Sequence, residues 1–198
     1  MHSPSEKFRC AIAAFAAYHR RDPNIVVVND VSYPSELLYT QRVADRLNKF
    51  HPEANEVVQL AAHCQHIGRW EIPREKYSMD KKGYLQWRNA EKLHHSRIAE
   101  TILSECGYDG DTIERVQTLL MKKELHSNAD TQLLEDVVCL VFLEHYLEEF
   151  STKHPDEKVV DILRKTMRKM SVEGKRGVDS LQLSSKNRSL IERAESLS

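Results

Sequence analysis

The chain has 198 residues, enough to bury one sizeable core and fewer than two ordinary domains usually need. Its 29 Lys and Arg are almost cancelled by 30 Asp and Glu. No overall field therefore favours nucleic acid, although a local basic patch remains compatible with it. Glycine and proline are sparse, at six each, and Leu, Glu, Lys and Ala outweigh β-branched residues, which points to an all-α fold of helices joined by short connections.

The four cysteines, Cys10, Cys64, Cys106 and Cys139, are widely spaced. They form neither a CxxC pair nor the dense pattern of a secreted disulfide framework, and are expected as reduced core thiols. The best apolar stretch, Val137 to Phe142, falls far short of the roughly 20 apolar residues that span a bilayer. No charged start with an apolar run marks a signal peptide. The expected location is the cytoplasm, with no membrane partner.

In chain order, Ser3 with Glu6 has capping-box spacing, and Phe8, Ile12, Phe15 and Ala16 recur at helical intervals up to the polar stretch His19–Asp22. Pro23 to Val31 contains four consecutive β-branched residues but no evident pairing segment, and reads as an extended loop. Pro34 and Ser35 open a helix carrying Leu37, Leu38, Val43 and Leu47, and Pro52 starts the next, with Val57, Ala61 and Cys64. Arg69 to Asp80 has no helical stripe and reads as a long ordered loop. Asp80 caps a helix to about Glu105, stopped by Gly107. Asp111 with Glu114 starts another. Asp130 precedes a helix over about 131–150 that is apolar on nearly every side, the mark of a buried element. Pro155 opens a last helix through Val159, Ile162 and Met167. The whole reads as one bundle of about seven helices over residues 1–172, with a polar, basic, mobile tail over 173–198 carrying at most a short helix.

Two places concentrate chemistry. His63 and His66 stand three residues apart at a helix end, a spacing that brings both rings to one face and suits a metal. The competing reading is a surface histidine beside one that donates a single core hydrogen bond. Tyr84, Arg88 and His95 continue at helical intervals into Ala99 and Ile102, so polar groups share the core-facing stripe. A guanidinium placed there needs a carboxylate or a phosphate. Asp136 sits among leucines on one face of the apolar helix. It would be held by a metal, by Arg88 or Arg69, or by a hydrogen bond to a helix terminus. Arg69, Trp70, Arg74, Tyr77 and Arg88 form a cationic and aromatic cluster suited to a nucleotide or another phosphorylated small molecule, or to single-stranded nucleic acid. They are equally suited to pinning their own loop. No phosphate loop, GxGxxG, GxSxG or HExxH is present, which excludes phosphate-loop hydrolysis, dinucleotide redox and serine esterase chemistry. Cys64 lies on an apolar face and reads as packing.

The stretches QHIGRWEIPREKY, GYLQWR, His95 and LEDVVCLVFLEHY resemble an uncharacterised family of domains found in bacteria and fungi, over about residues 34–171. More distantly, the order of QRVADRL, His66, His95 and Asp136 is similar to the HD-domain phosphohydrolases. Those are all-helical enzymes whose histidines and aspartates bind divalent metals that activate water. That resemblance implies an HD-like fold, with His66 as the histidine of the HD pair, His95 as a downstream histidine and Asp136 as the late aspartate. Ile67 stands where the pair has its aspartate, and Gln41 or a neighbour stands where the first-helix histidine belongs.

Two functional expectations follow. The first is a phosphohydrolase using manganese, iron or zinc, with His66, His95 and Asp136 as ligands, His63 as a further one, and Arg69, Arg74 and Arg88 on the substrate phosphate. The second is a metal-free binding or regulatory module that holds a phosphorylated ligand or nucleic acid by its Arg and aromatic cluster, with a pocket lined by Tyr84, Trp87 and Arg88.

Overall fold

The computed structural model describes residues 4–197. These residues form ten α-helices, three short 3-10 turns and one two-stranded sheet. They fall into two compact units divided after Lys123. The all-α class holds, whereas the expected count of about seven helices does not.

The first unit begins with α1 (Glu6–His19), whose N-cap is Ser5, its hydroxyl accepting from the Phe8 N–H. The expected cap, Ser3, lies outside the described residues. Residues 25–34, expected as a loop, form a hairpin: β1 (Ile25–Val28) pairs antiparallel with β2 (Val31–Pro34). Asn29 and Asp30 turn between them with φ of 50° and 62°, the left-handed pair that a two-residue hairpin turn needs. The partner strand VSYP escapes notice in the sequence because it carries a single aliphatic β-former and ends in proline. Asp22 anchors the hairpin base, accepting from the N–H groups of Asn24 and Glu36 at 2.9 Å each.

Helices α2 (Ser35–Phe50) and α3 (Glu56–Cys64) pack on α1. Helix α3 starts at Glu56, capped by Asn55, four residues past the expected start at Pro52. A loop with two 3-10 turns, Arg69–Glu71 and Arg74–Lys76, leads to α4 (Lys81–Glu105). Asp80 caps α4 by accepting from Gly83 N at 2.7 Å, and Gly107 at φ 81° ends the turn beyond it. Helix α5 (Gly110–Leu120), capped by Asp109 rather than Asp111, packs on α3 and α4. The core comprises Phe15, Val43, Leu47, Leu60, Leu103 and Val116, with others of the same stripes. Cys10 on α1 and Cys106 after α4 are joined by a disulfide. They are not the reduced core thiols expected; Cys64 and Cys139 are free and buried.

The second unit holds α6 (Ala129–His145), α7 (Leu147–Lys153), α8 (Asp156–Met167), α9 (Val172–Gly177) and α10 (Ser185–Ser196). The expected single helix over 131–150 is broken at Tyr146. The expected tail is instead packed structure. Helix α10 lies against α8 and α7, burying Leu190, Ile191 and Ala194, and Val178 and Leu181 are buried ahead of it. Asn187 fixes α10 by donating to Glu148 Oε2 at 2.7 Å. Its apolar residues are few and separated by Ser, Lys and Arg, so composition hid a stripe that spacing carries. No helix among the described residues is long and apolar enough to cross a membrane.

Candidate functional site

The polar centre of the first unit is built from three segments. Pro34 ends β2, so α2 begins with Glu36 in its first turn and its side chain buried. Helix α3 stops at Cys64, and the turn after it carries His66 and Arg69, with Gly68 at φ 71°. A Cβ on Gly68 would stand 2.5 Å from Ile98 Cδ1, so glycine is needed for both conformation and close approach. The long helix α4 then presents Arg88, Glu91 and His95 on one face, at three- and four-residue spacing.

These groups form one network. Arg88 Nη1 donates to Glu91 Oε2 at 2.8 Å. Arg69 Nε lies 3.3 Å from Glu91 Oε1 and 3.8 Å from Glu36 Oε1, so one guanidinium is shared by two carboxylates. Glu36 Oε2 is 3.3 Å from His66 Nδ1, without hydrogen-bond geometry. Glu36 Oε2 and Glu91 Oε1 are both buried with no hydrogen-bond partner among the described residues. The Tyr39 ring stacks on His66 at 4.4 Å, and its hydroxyl accepts from Gln65 Nε2 at 2.7 Å. His95 donates Nδ1–H to the Ile67 carbonyl at 2.6 Å, which leaves the lone pair on Nε2. The His66 and His95 rings are 5.9 Å apart.

Burial sets the protonation states. Desolvation pushes the Glu36 carboxyl up to about 7, against the opposing pull of Arg69. Glu91 is raised by the same cause, opposed by Arg69 and Arg88. His95 falls to about 2 through burial, then through His66, and burial followed by the field of Arg69, Arg88 and Lys122 lowers His66 well below its ordinary value. Both imidazoles are neutral at pH 7.

A pocket opens on this network, lined by Gln65, His66, Arg88, Glu91, Lys92, His95, Leu119, Leu120 and Lys122. Three cationic side chains therefore stand around two neutral imidazoles and a buried carboxylate. Such a surface attracts an anion, and the neutral rings can hydrogen-bond to it.

The residues expected from sequence are only partly brought together. His66, His95, Arg69 and Arg88 share the network. His63 does not, because α3 ends after Cys64 and the next turn directs His66 elsewhere. The His63 carbonyl accepts from His19 Nε2 at 3.1 Å, and its side chain lines a separate pocket with Phe8, Ala44, Leu47, Asn48, Gln59 and Ala62. Asp136 belongs to the second unit. There it accepts from the Ser171 N–H at 2.8 Å, the Ser171 hydroxyl at 2.6 Å and Gln132 Nε2 at 3.0 Å. It thereby holds the N-cap residue of α9, the helix-terminus role among those the sequence allowed. Among the described residues no three His, Cys, Asp or Glu side chains converge as a metal-binding group.

The aromatic cluster pins its own loop. Trp87 Nε1 donates to the Ile72 carbonyl at 2.9 Å, and the guanidinium carbons of Arg69, Arg74 and Arg88 stand 5.5 to 5.8 Å from its ring. Arg74 donates to the carbonyls of Tyr77 and Ser78. Tyr77 is half-buried, and Trp70 tilts over Tyr18 of α1 at 5.9 Å. Tyr84 is 48% exposed and touches Trp87, and neither of the two lines the pocket that Arg88 borders. Cys64 donates Sγ–H to the Leu60 carbonyl, and burial raises its thiol pKa, so it is a packing residue.

Sequence reasoning missed Glu36, Glu91, Lys92 and Lys122. Glu91 had a signal, since it falls on the Tyr84, Arg88, His95 stripe as the carboxylate that a buried arginine requires. Glu36 had only its place in a first helical turn, where acidic residues are usually exposed caps.

No curated protein and no solved structure matches the chain. A family model described as Domain of unknown function (DUF4202) matches residues 9–191. That span includes the network of the first unit and most of the second. The chain belongs to this family.

Proposed function

We propose that the first unit binds a phosphorylated small molecule by its phosphate, in the pocket framed by Arg88, Lys92 and Lys122. The observation that carries this reading is the sign of the pocket: three cations surround imidazoles that burial keeps uncharged. A phosphate would find a planar guanidinium donor and two ammonium groups, beside the single carboxylate of Glu91 in the lining. The test is calorimetric titration with inorganic phosphate, a sugar phosphate and a nucleoside monophosphate, with and without chelator. Binding should survive chelation and weaken with salt. Arg88→Ala should weaken it about tenfold or more, the value of one hydrogen bond to a charged group. Equal binding by Arg88→Ala, or none by wild type, would overturn the reading.

A second reading, divalent-metal phosphohydrolase activity, is favoured by the orientation of His95. An imidazole whose Nδ1–H is held by a backbone carbonyl presents Nε2 in the manner common among metal ligands. His66 and His95 would then hold manganese, iron or zinc, which would activate water, while Arg69 and Arg88 would bind the phosphate. Stoichiometric metal in untagged protein, lost in His95→Ala together with phosphate release from esters, would select this reading. Absence of both after reconstitution would remove it.

A further inference from the structure

The pocket beside His63 shares no lining residue with the one around His66, and phosphate binding makes no use of it. It lies among α1, α2 and α3. Ala44, Leu47 and Asn48 stand at three- and four-residue spacing on α2, and Gln59, Ala62 and His63 repeat that spacing on α3. The two alanines leave open a space that larger side chains would fill. Its volume is about 130 Å³, close to the roughly 150 Å³ of a cavity that admits benzene. Phe8 of α1 adds a third wall and is fixed on both sides. Ser5 Oγ accepts its N–H at 3.1 Å, and Cys10, two residues on, is bonded to Cys106. The cavity is therefore preformed, and little ordering opposes a ligand.

Its polar groups are uncharged and free to meet a ligand. Gln59 Nε2 donates to the Ala54 carbonyl at 2.7 Å, which fixes the carboxamide and leaves Oε1 as an acceptor. Among the described residues no hydrogen bond engages the Asn48 side chain or the His63 ring. Burial holds that ring below its ordinary pKa, against the field of Asp45, so it offers one donor and one acceptor at pH 7. No Lys, Arg, Asp or Glu lines the cavity. An ion would lose hydration there with no opposite charge to replace it. A purely apolar ligand would strip water from the amides and the imidazole without returning a hydrogen bond. A ring with apolar faces and N–H and C=O groups along its edge satisfies both conditions, because carboxamides pair with such edges as Asn and Gln do with bases.

We infer that this cavity is a second ligand site, which binds an uncharged, planar, single-ring heterocycle with an N–H and C=O edge, the chemical class of a pyrimidine base. The ring faces lie against Phe8, Leu47 and the two alanines. The edge meets Gln59 Oε1, the Asn48 carboxamide and the His63 imidazole. At about 30 Å³ for each water, the ligand displaces roughly four of them. The site is independent of phosphate binding, and neither requires the other.

Uracil is the probe, with benzene as an apolar control of the same ring size and orotate as a charged one. Titration of the full chain, followed by nuclear magnetic resonance, should give saturable shifts at Phe8, Ala44, Ala62 and His63 with uracil. Benzene and orotate should bind more weakly. Ala44→Leu fills the cavity and should abolish the uracil shifts in a protein that still unfolds cooperatively. Asn48 is exposed at the mouth, so Asn48→Ala removes an edge partner without touching the core and should weaken uracil about fivefold. Wild type that shows no uracil shifts at these residues would overturn the inference. So would benzene or orotate binding as tightly as uracil. Unchanged uracil affinity in Asn48→Ala would also overturn it, whether or not Ala44→Leu folds.

Discussion

Glu36 illustrates how one residue sets the character of a site. Arg69 and then His19 pull its carboxyl pKa down, yet desolvation outweighs both and raises it to about 7. A group whose folded pKa lies above its unfolded value binds more protons when folded. Its contribution to stability is therefore intact below about 4.5 and is lost as pH rises to about 7. Glu36→Gln removes that loss. The variant should unfold at higher denaturant than wild type at pH 8, with a difference on the order of 3 kcal/mol that shrinks toward zero near pH 4.5. A variant less stable than wild type at pH 8 would mean that the ion pair with Arg69 dominates instead.

At the scale of elements, the two ends of α4 and the short helix α9 show how local signals and close approach divide the work. Helix α4 is bounded by a capping Asp80 and by Gly107, both visible to anyone reading the chain. Helix α9 depends on contact. A Cβ on Gly174 would stand 2.5 Å from the Asp136 carboxyl carbon, and that carboxylate holds both donors of Ser171, the α9 cap. Gly174→Ala must displace a buried, three-times hydrogen-bonded carboxylate, and is expected to cost about 1 to 3 kcal/mol. In α10, Leu190→Ala should cost about 2 to 5 kcal/mol, because the residue is 4% exposed on the face that meets α8. Denaturant unfolding of both variants measures these values. A neutral Leu190→Ala would show that the C-terminal segment is the loose tail its composition suggests.

For the molecule as a whole, the Cys10–Cys106 bridge closes a loop of 96 residues and ties the start of α1 to the end of α4. Cross-linking positions this distant lowers the entropy of the unfolded chain, an effect of about 4.7 kcal/mol. Thiol titration in denaturant without reductant should find two free thiols, the buried Cys64 and Cys139, and four after reduction. The unfolding midpoint of a Cys10→Ser/Cys106→Ser variant should fall and become insensitive to reductant. Four free thiols in protein handled without reductant would show that the pair stays reduced.

The helices of this protein are legible in its sequence because capping and 3.6-residue periodicity act over a few neighbouring residues. Asp80 caps as expected, and Ser5, Asn55, Asp109 and Asn128 cap within two or three residues of the expected starts Ser3, Pro52, Asp111 and Asp130. Part of the polar network was legible for the same reason: Arg88 and His95 stand out as polar groups on an apolar stripe, and His66 by its spacing from His63 at a helix end. What only the tertiary structure decided is pairing across the chain. The hairpin needed a partner strand too weak to announce itself, and the disulfide joined cysteines far apart in sequence. His63 and His66 separated because a helix ended between them. Glu36 became a buried acid only when Arg69 and Glu91 closed over it, since burial is a property of the packed unit and no single segment carries it.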